Sequence, residues 1–197
     1  MPRFTRAELD SYRDALVPDL VGDDLRLLFV GINPGLWTAA VQTHFAHPAN
    51  RFYPALLAAG IIERRIDPAA GMTDEDRAYF VSRGLGITNL VARASARADE
   101  LSTSELREGG ARLVEHVAAW RPAVVAIAGI TAYRAAFGVR TAAPGRQPEP
   151  IAAAQLWVVP NPSGLNAHHT VATLAAAYRE AAEAAGVVSA GGGSAAP

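Results

Sequence analysis

Two segments hold residue types and spacings from which chemistry could be built. The first is Gly31-Ile32-Asn33-Pro34-Gly35-Leu36-Trp37-Thr38, continuing to His44-Phe45-Ala46-His47-Pro48-Ala49-Asn50-Arg51-Phe52. The second is Val159-Pro160-Asn161-Pro162-Ser163-Gly164-Leu165-Asn166. Each sets Asn-Pro close to glycine. One such dipeptide is merely a turn former, whereas a pair on neighbouring strands would line a rigid polar cleft. An amide has no useful pKa, so Asn33 cannot serve as a general base; it can orient a water through Oδ1 and donate from Nδ2. Asp99 and Glu100 are the carboxylates of a further loop, 91–101, and Asp99 is the candidate for the water activation an amide cannot supply. His44 and His47 stand three apart with no acidic partner nearby to complete a metal site. No metal or cofactor is expected.

These loops need strands to carry them. Leu25–Ile32 (LRLLFVGI) and Pro122–Ile130 (PAVVAIAGI) are nearly continuous apolar runs, as in parallel strands covered on both faces. Gly86–Val91 and Leu156–Val159 read as shorter strands. Helices are expected over residues 6–17, with Leu9, Tyr12 and Leu16 on one stripe, and over 51–59, capped by Asn50. Others start at Thr73, at the Ser102-Thr103-Ser104-Glu105 capping box, at Thr131 and near His169. Gly109-Gly110 inside the helix that runs to Trp120 implies a kink or close packing, and 141–150 reads as a connection. The class is α/β: a short, about four-stranded, mainly parallel sheet with helices on both faces. Ligands of such sheets bind beyond the carboxyl ends of the strands, where the loops above lie. The expected organisation is a helical extension over 1–24, one domain over 25–186 and a disordered tail over 187–197.

Composition removes several chemistries. The chain has 197 residues, 42 of them alanine, no cysteine and a net charge of −1. Without cysteine there are no disulfides, thiolate nucleophiles or cysteine zinc sites. All 18 basic residues are arginine. The absence of lysine removes the P-loop lysine and any lysine amine that could form an imine. No segment is long and apolar enough to span a bilayer, and the charged N-terminus is unlike a signal peptide, so a cytoplasmic protein is expected.

GINPG, the downstream FAHPANRF and the late NPSGLN, in this order, resemble the mismatch-specific uracil-DNA and thymine-DNA glycosylases, a branch of the uracil-DNA glycosylase superfamily. The likeness spans roughly residues 25–180. It implies a glycosylase fold and hydrolysis of the bond between a damaged base and its deoxyribose. By that resemblance Asn33 is the catalytic asparagine, Phe45 stacks on the flipped base, and Ile32 and Thr38 belong to the base pocket. Ser163, Gly164, Leu165 and Asn166 match the wedge that fills the gap left by the flipped nucleotide, with Leu165 entering the stack. The sequence departs from the family at Ala167, where an arginine is common, and at Asn89, where a lysine is expected.

The expectation is therefore a monofunctional glycosylase acting as a monomer on double-stranded DNA with G·U mismatches, associated with the nucleoid when bound. Ethenocytosine and thymine follow as further substrates from the resemblance alone. Arg51 reads first as an anchor of the helix it opens; with Arg93 and Arg97 it is also a candidate phosphate contact for an otherwise near-neutral chain. A mismatch-binding protein without catalysis and a small-molecule nucleoside hydrolase are the competing readings; the latter has no use for an exposed Leu165.

Overall fold

A computed structural model describes residues 4–166 and 168–189. In chain order the elements are α1 (Arg6–Asp10), β1 (Leu27–Gly31), α2 (Leu36–Val41), α3 (Phe52–Ala58), α4 (Asp74–Ser82), β2 (Leu85–Asn89), α5 (Thr103–Trp120), β3 (Val124–Ala128), α6 (Ile130–Phe137), β4 (Gly145–Arg146), β5 (Gln155–Val159) and α7 (Val171–Ala184). The sheet order is β2-β1-β3-β5-β4. All pairs are parallel except β4 with β5.

Alternating side chains of the strands feed two cores. Leu27 and Phe29 of β1 join Ile87, Val124 and Ala126 beneath α3, α4 and α7, where Phe52, Leu56, Phe80, Leu174 and Tyr178 are buried. Leu28 and Val30 join Val125, Ile127, Leu156 and Val158 on the other face, beneath Leu113 and Val117 of α5 and Tyr133 of α6. Each of these large apolar groups contributes ~1.5–3 kcal/mol by leaving water, so both layers are fixed strongly. A third cluster of Val17, Leu36, Ala39 and Ala94, with Leu9 and Tyr12 against it, docks α1 and α2.

The expected α/β class holds, and the sheet gains a fifth strand. β4 is a two-residue antiparallel edge in the segment read as a connection; nothing as short as Gly-Arg has a strand period. The first helix stops at Asp10 rather than 17, and Leu16 is 65% exposed instead of joining the stripe of Leu9 and Tyr12. The chain there turns away to form bridges with Arg93 and Ile87. The Ser102–Glu105 capping box forms as expected. Gly109-Gly110 serves close packing: a Cβ on Gly109 would fall within 3.0 Å of Leu90 O, and one on Gly110 would meet Ala136 O at 3.0 Å. At the far end Val187 and Val188 still pack on the core, against the expectation of a tail free from residue 187. Residues 190–197, and Ala167, lie outside the described residues.

Since β1, β2, β3 and β5 run parallel, their carboxyl ends meet at one edge. The chain leaves β1 towards β2 on one side and continues through β3 and β5 on the other. That reversal opens a crevice between the two directions.

Candidate active site

A cleft of about 750 Å³ fills this crevice. Gly31, Asn89, Ala128 and Asn161, at or just past the four parallel strand ends, form its floor. Its walls come from the first loop (Asn33, Trp37, Phe45), the segment 95–99 and the second loop through Leu165. Arg6, Leu9, Asp10 and Arg13 of the N-terminal segment close one rim.

Asn33 is held by a bracket that the sequence did not disclose. Its Nδ2 donates to Pro34 O at 3.1 Å, Arg93 O at 3.2 Å and Ser95 Oγ at 2.8 Å. The hydroxyl of Ser95 gives its own proton to Arg97 O at 2.7 Å, so towards Asn33 it acts as an acceptor. Two of the three partners are carbonyls, which can only accept, and this settles which end of the amide is nitrogen. Asn33 Oδ1 is left without a protein donor among the described residues. A fixed acceptor beside an open cleft is suited to orienting a water molecule.

A second amide is locked in a similar manner. His44 is buried, and its Nε2 lies 2.9 Å from Pro18 O, a partner that requires Nε2–H. Burial pushes the imidazole pKa down, so the ring is neutral and its Nδ1 is an acceptor. Asn89 Nδ2 therefore donates to Nδ1 at 3.1 Å. The Asn89 Oδ1 end lies over Gly31, in space a Cβ there would occupy, and beside the Phe45 ring. This commits His44 to the fold rather than to a metal. Among the described residues no cluster of three histidine, aspartate or glutamate side chains is arranged to hold an ion.

Phe45 is stacked on Phe52 with ring centroids 4.2 Å apart, and its remaining surface lines the cleft. Its backbone sits at φ 55°, a left-handed conformation uncommon for a large side chain and held here by the surrounding packing. Trp37 also lines the cleft, its indole donating to Ala69 O at 3.0 Å. Thr38 is buried, and its hydroxyl accepts from Ala46 N at 3.4 Å, bracing the turn that presents Phe45. Ile32 is half-buried against the α5–α6 core, while its carbonyl takes Val91 N at 2.9 Å.

Asp99 reaches only the mouth of the cleft. Both carboxylate oxygens face Arg97, at 3.1 and 2.7 Å, and the side chain is 63% exposed. Each oxygen accepts one bond from Arg97, and no bond joins the carboxylate to Asn33. The expected arginine phosphate contacts fare likewise. Arg97 holds Asp99, Arg93 pairs with Glu105 at 2.6 Å and Asp14 at 3.1 Å, and Arg51 points its guanidinium at backbone carbonyls. At the rim of the cleft Arg6 is 97% exposed and makes only a long pair with Asp10, at 3.9 Å.

The second loop is a tight hairpin. Asn161 Oδ1 takes Ser163 N at 3.0 Å, Asn166 Nδ2 returns to Asn161 O at 3.0 Å, and Asn166 N bonds Ser163 O at 3.0 Å. These bonds leave Leu165 at the tip, 92% exposed. An apolar side chain held so far into solvent by an ordered loop has no packing purpose within the chain.

Residues 18–184 match the family model described as the Uracil DNA glycosylase superfamily. The fold is similar to the solution structure of a candidate uracil DNA glycosylase from Methanosarcina acetivorans, with a TM-score of 0.51 and 13% identity over 84% of this chain and 98% of that one. At that identity the likeness speaks for the fold alone.

Proposed function

The chain belongs to the uracil DNA glycosylase superfamily, and on that premise we propose that its cleft hydrolyses the N-glycosidic bond of uracil mispaired with guanine in duplex DNA. The carrying observation is Asn33, whose amide nitrogen is tied to three acceptors while Oδ1 stays free at the cleft. A base stacked in a duplex is unreachable, so its nucleotide swings out at a cost of a few kcal/mol, least for a mispair. Leu165 enters the vacated stack. The flipped base lies along Phe45, and the Asn89 Oδ1 acceptor meets a ring N–H such as the one uracil carries.

In this reading Asn33 holds the attacking water without taking its proton. The bond to the base breaks to give a sugar cation and a base anion, water adds to the cation, and its proton goes to the departing anion, which leaves as neutral uracil. Positioning and fixed dipoles supply most of the acceleration. Asp99, paired to Arg97, is given no part. With no lysine in the chain, no lysine imine can open the sugar, and the product is an intact strand with an abasic site. Ethenocytosine and thymine are extensions of the same proposal. Ethenocytosine lacks the ring N–H that Asn89 would meet, so uracil is expected to lead.

The test is base release from U, T, ethenocytosine and hypoxanthine, each in paired and single-stranded oligonucleotides. Release of uracil, fastest from U·G, supports the proposal. Binding to U·G without release would instead point to a mismatch sensor, and release only from free nucleosides to a nucleoside hydrolase.

A further inference from the structure

Arg51 lies at the end of the first loop and its side chain is committed to the second. Nη1 donates to His169 O, and Nη2 donates to Ser163 O and to Asn166 O at 2.6 Å each. Its backbone N–H adds a bond to Pro162 O at 3.0 Å. The guanidinium is withdrawn from solvent far enough that Nε is buried, with no partner among the described residues. A group so placed cannot reach a phosphate. It gathers carbonyls from both sides of Leu165 into one fork.

The same joint is closed by packing. A Cβ on Gly164 would stand 2.7 Å from Ala49 O and 2.8 Å from Ala49 Cβ, so the two loops touch directly beside Arg51. The next residue, Phe52, donates its N–H to Asn50 Oδ1 at 2.9 Å and carries the ring on which Phe45 stacks. Tyr178 holds the other end of the second loop through Pro160 O at 3.0 Å. The base pocket and the exposed leucine thus share one rigid mounting.

We infer that Arg51 is a positioning residue that preforms the Leu165 wedge, coupling it to the pocket so that insertion and base capture occur as one movement. The inference rests on the glycosylase reading for its kinetic consequence, though the clamp itself is a property of the free protein. A disordered loop would have to be ordered at the moment of insertion, a loss that the clamp removes in advance. Lysine has one point charge and cannot span three carbonyls, so Arg51→Lys keeps the charge and loses the fork.

The experiment compares wild type, Arg51→Lys, Leu165→Ala and the double variant on U·G duplex and on single-stranded uracil DNA. A merely structural role would lower both activities together. The clamp predicts that Arg51→Lys loses about tenfold in duplex kcat/KM, the scale of one charge-assisted hydrogen bond, with single-strand cleavage within about twofold. The double variant should be no slower on duplex than Leu165→Ala. Equal losses on both substrates, or multiplied losses in the double variant, would overturn the inference. Amide hydrogen exchange at Asn166 provides a readout that needs no activity. Faster exchange in Arg51→Lys supports the clamp even where wild type releases no uracil, a result that would defeat only the glycosylase reading; unchanged exchange defeats the clamp. Should Arg51→Lys fail to fold, Arg51→Gln, which keeps one planar amide donor of the fork, takes its place, and its duplex-selective loss or lack of one decides the matter.

Discussion

Replacing Asn33 by aspartate examines the amide orientation on which the water-positioning reading depends. In the native protein Nδ2 faces Pro34 O at 3.1 Å, Arg93 O at 3.2 Å and the acceptor side of Ser95 Oγ at 2.8 Å. A carboxylate oxygen in that place meets three acceptors and donates to none. The variant forfeits hydrogen bonds of ~1 kcal/mol each and adds lone-pair repulsion, so a loss of ~2–4 kcal/mol is expected when the new carboxyl is ionised. Protonation restores one donor, so the folded state raises the carboxyl pKa above the ordinary aspartate value. A raised folded-state pKa means the contribution is intact below the unfolded value and is lost as pH rises through the folded one. Thermal unfolding of Asn33→Asp and wild type near pH 5 and near pH 8 measures this: the gap should widen towards pH 8, to a Tm difference of roughly 5–15 °C. A variant as stable as wild type near pH 8 would show that the amide is not held nitrogen-inward, and the account of a fixed water acceptor would go with it.

The other expectations are simpler. Leu165→Ala should leave stability unchanged within ~0.5 kcal/mol, because the side chain is 92% exposed, while duplex cleavage falls by about tenfold or more and single-strand cleavage changes little. Asp99→Asn should leave single-turnover cleavage within about twofold at every pH, since its carboxylate is engaged with exposed Arg97; a large loss would restore it as the water-activating group. Gly109→Ala should lower Tm by roughly 4–8 °C despite its better helix propensity, because the added methyl collides with Leu90 O. The Arg93 ion pair and the Ser102 cap hold Glu105 at about 2, well below its ordinary 4.5. A lowered folded-state pKa supports stability above the ordinary value and gives it up as pH falls. Glu105→Gln should therefore differ most from wild type near neutral pH and converge with it between pH 4.5 and about 2 in acid unfolding.

The parts of the fold legible in the sequence are those written in local patterns. The apolar runs around Leu27–Gly31 and Val124–Ala128 announce strands buried on both faces, and Ser102 with Glu105 announces its helix. The two Asn-Pro loops could be placed at strand ends, and parallel pairing brings them to one cleft. What escaped depends on neighbours far along the chain. Ser95 became visible as a partner of Asn33 only across 62 positions, and Arg51 reaches His169 across 118. Arg93 and Arg97 looked available for phosphate because their carboxylates, Glu105 and Asp99, are identified as partners only by the folded geometry. The sequence already argued against His44 as a metal ligand, but its task, a buried link between Pro18 and Asn89, shows only in the fold. The missing lysine needed no structure at all: no lysine imine can form whichever way the chain folds.

The proposed reaction turns on Asn33 Oδ1 as the group that positions the water for cleavage of the glycosidic bond. Single-turnover uracil release from a U·G duplex by wild type and by Asn33→Ala tests it most directly, with strand integrity read before and after alkali. The expected result is free uracil and an unbroken strand that alkali alone cuts, with Asn33→Ala slower by about a hundredfold or more at unimpaired duplex binding. Equal rates for the two proteins would contradict it.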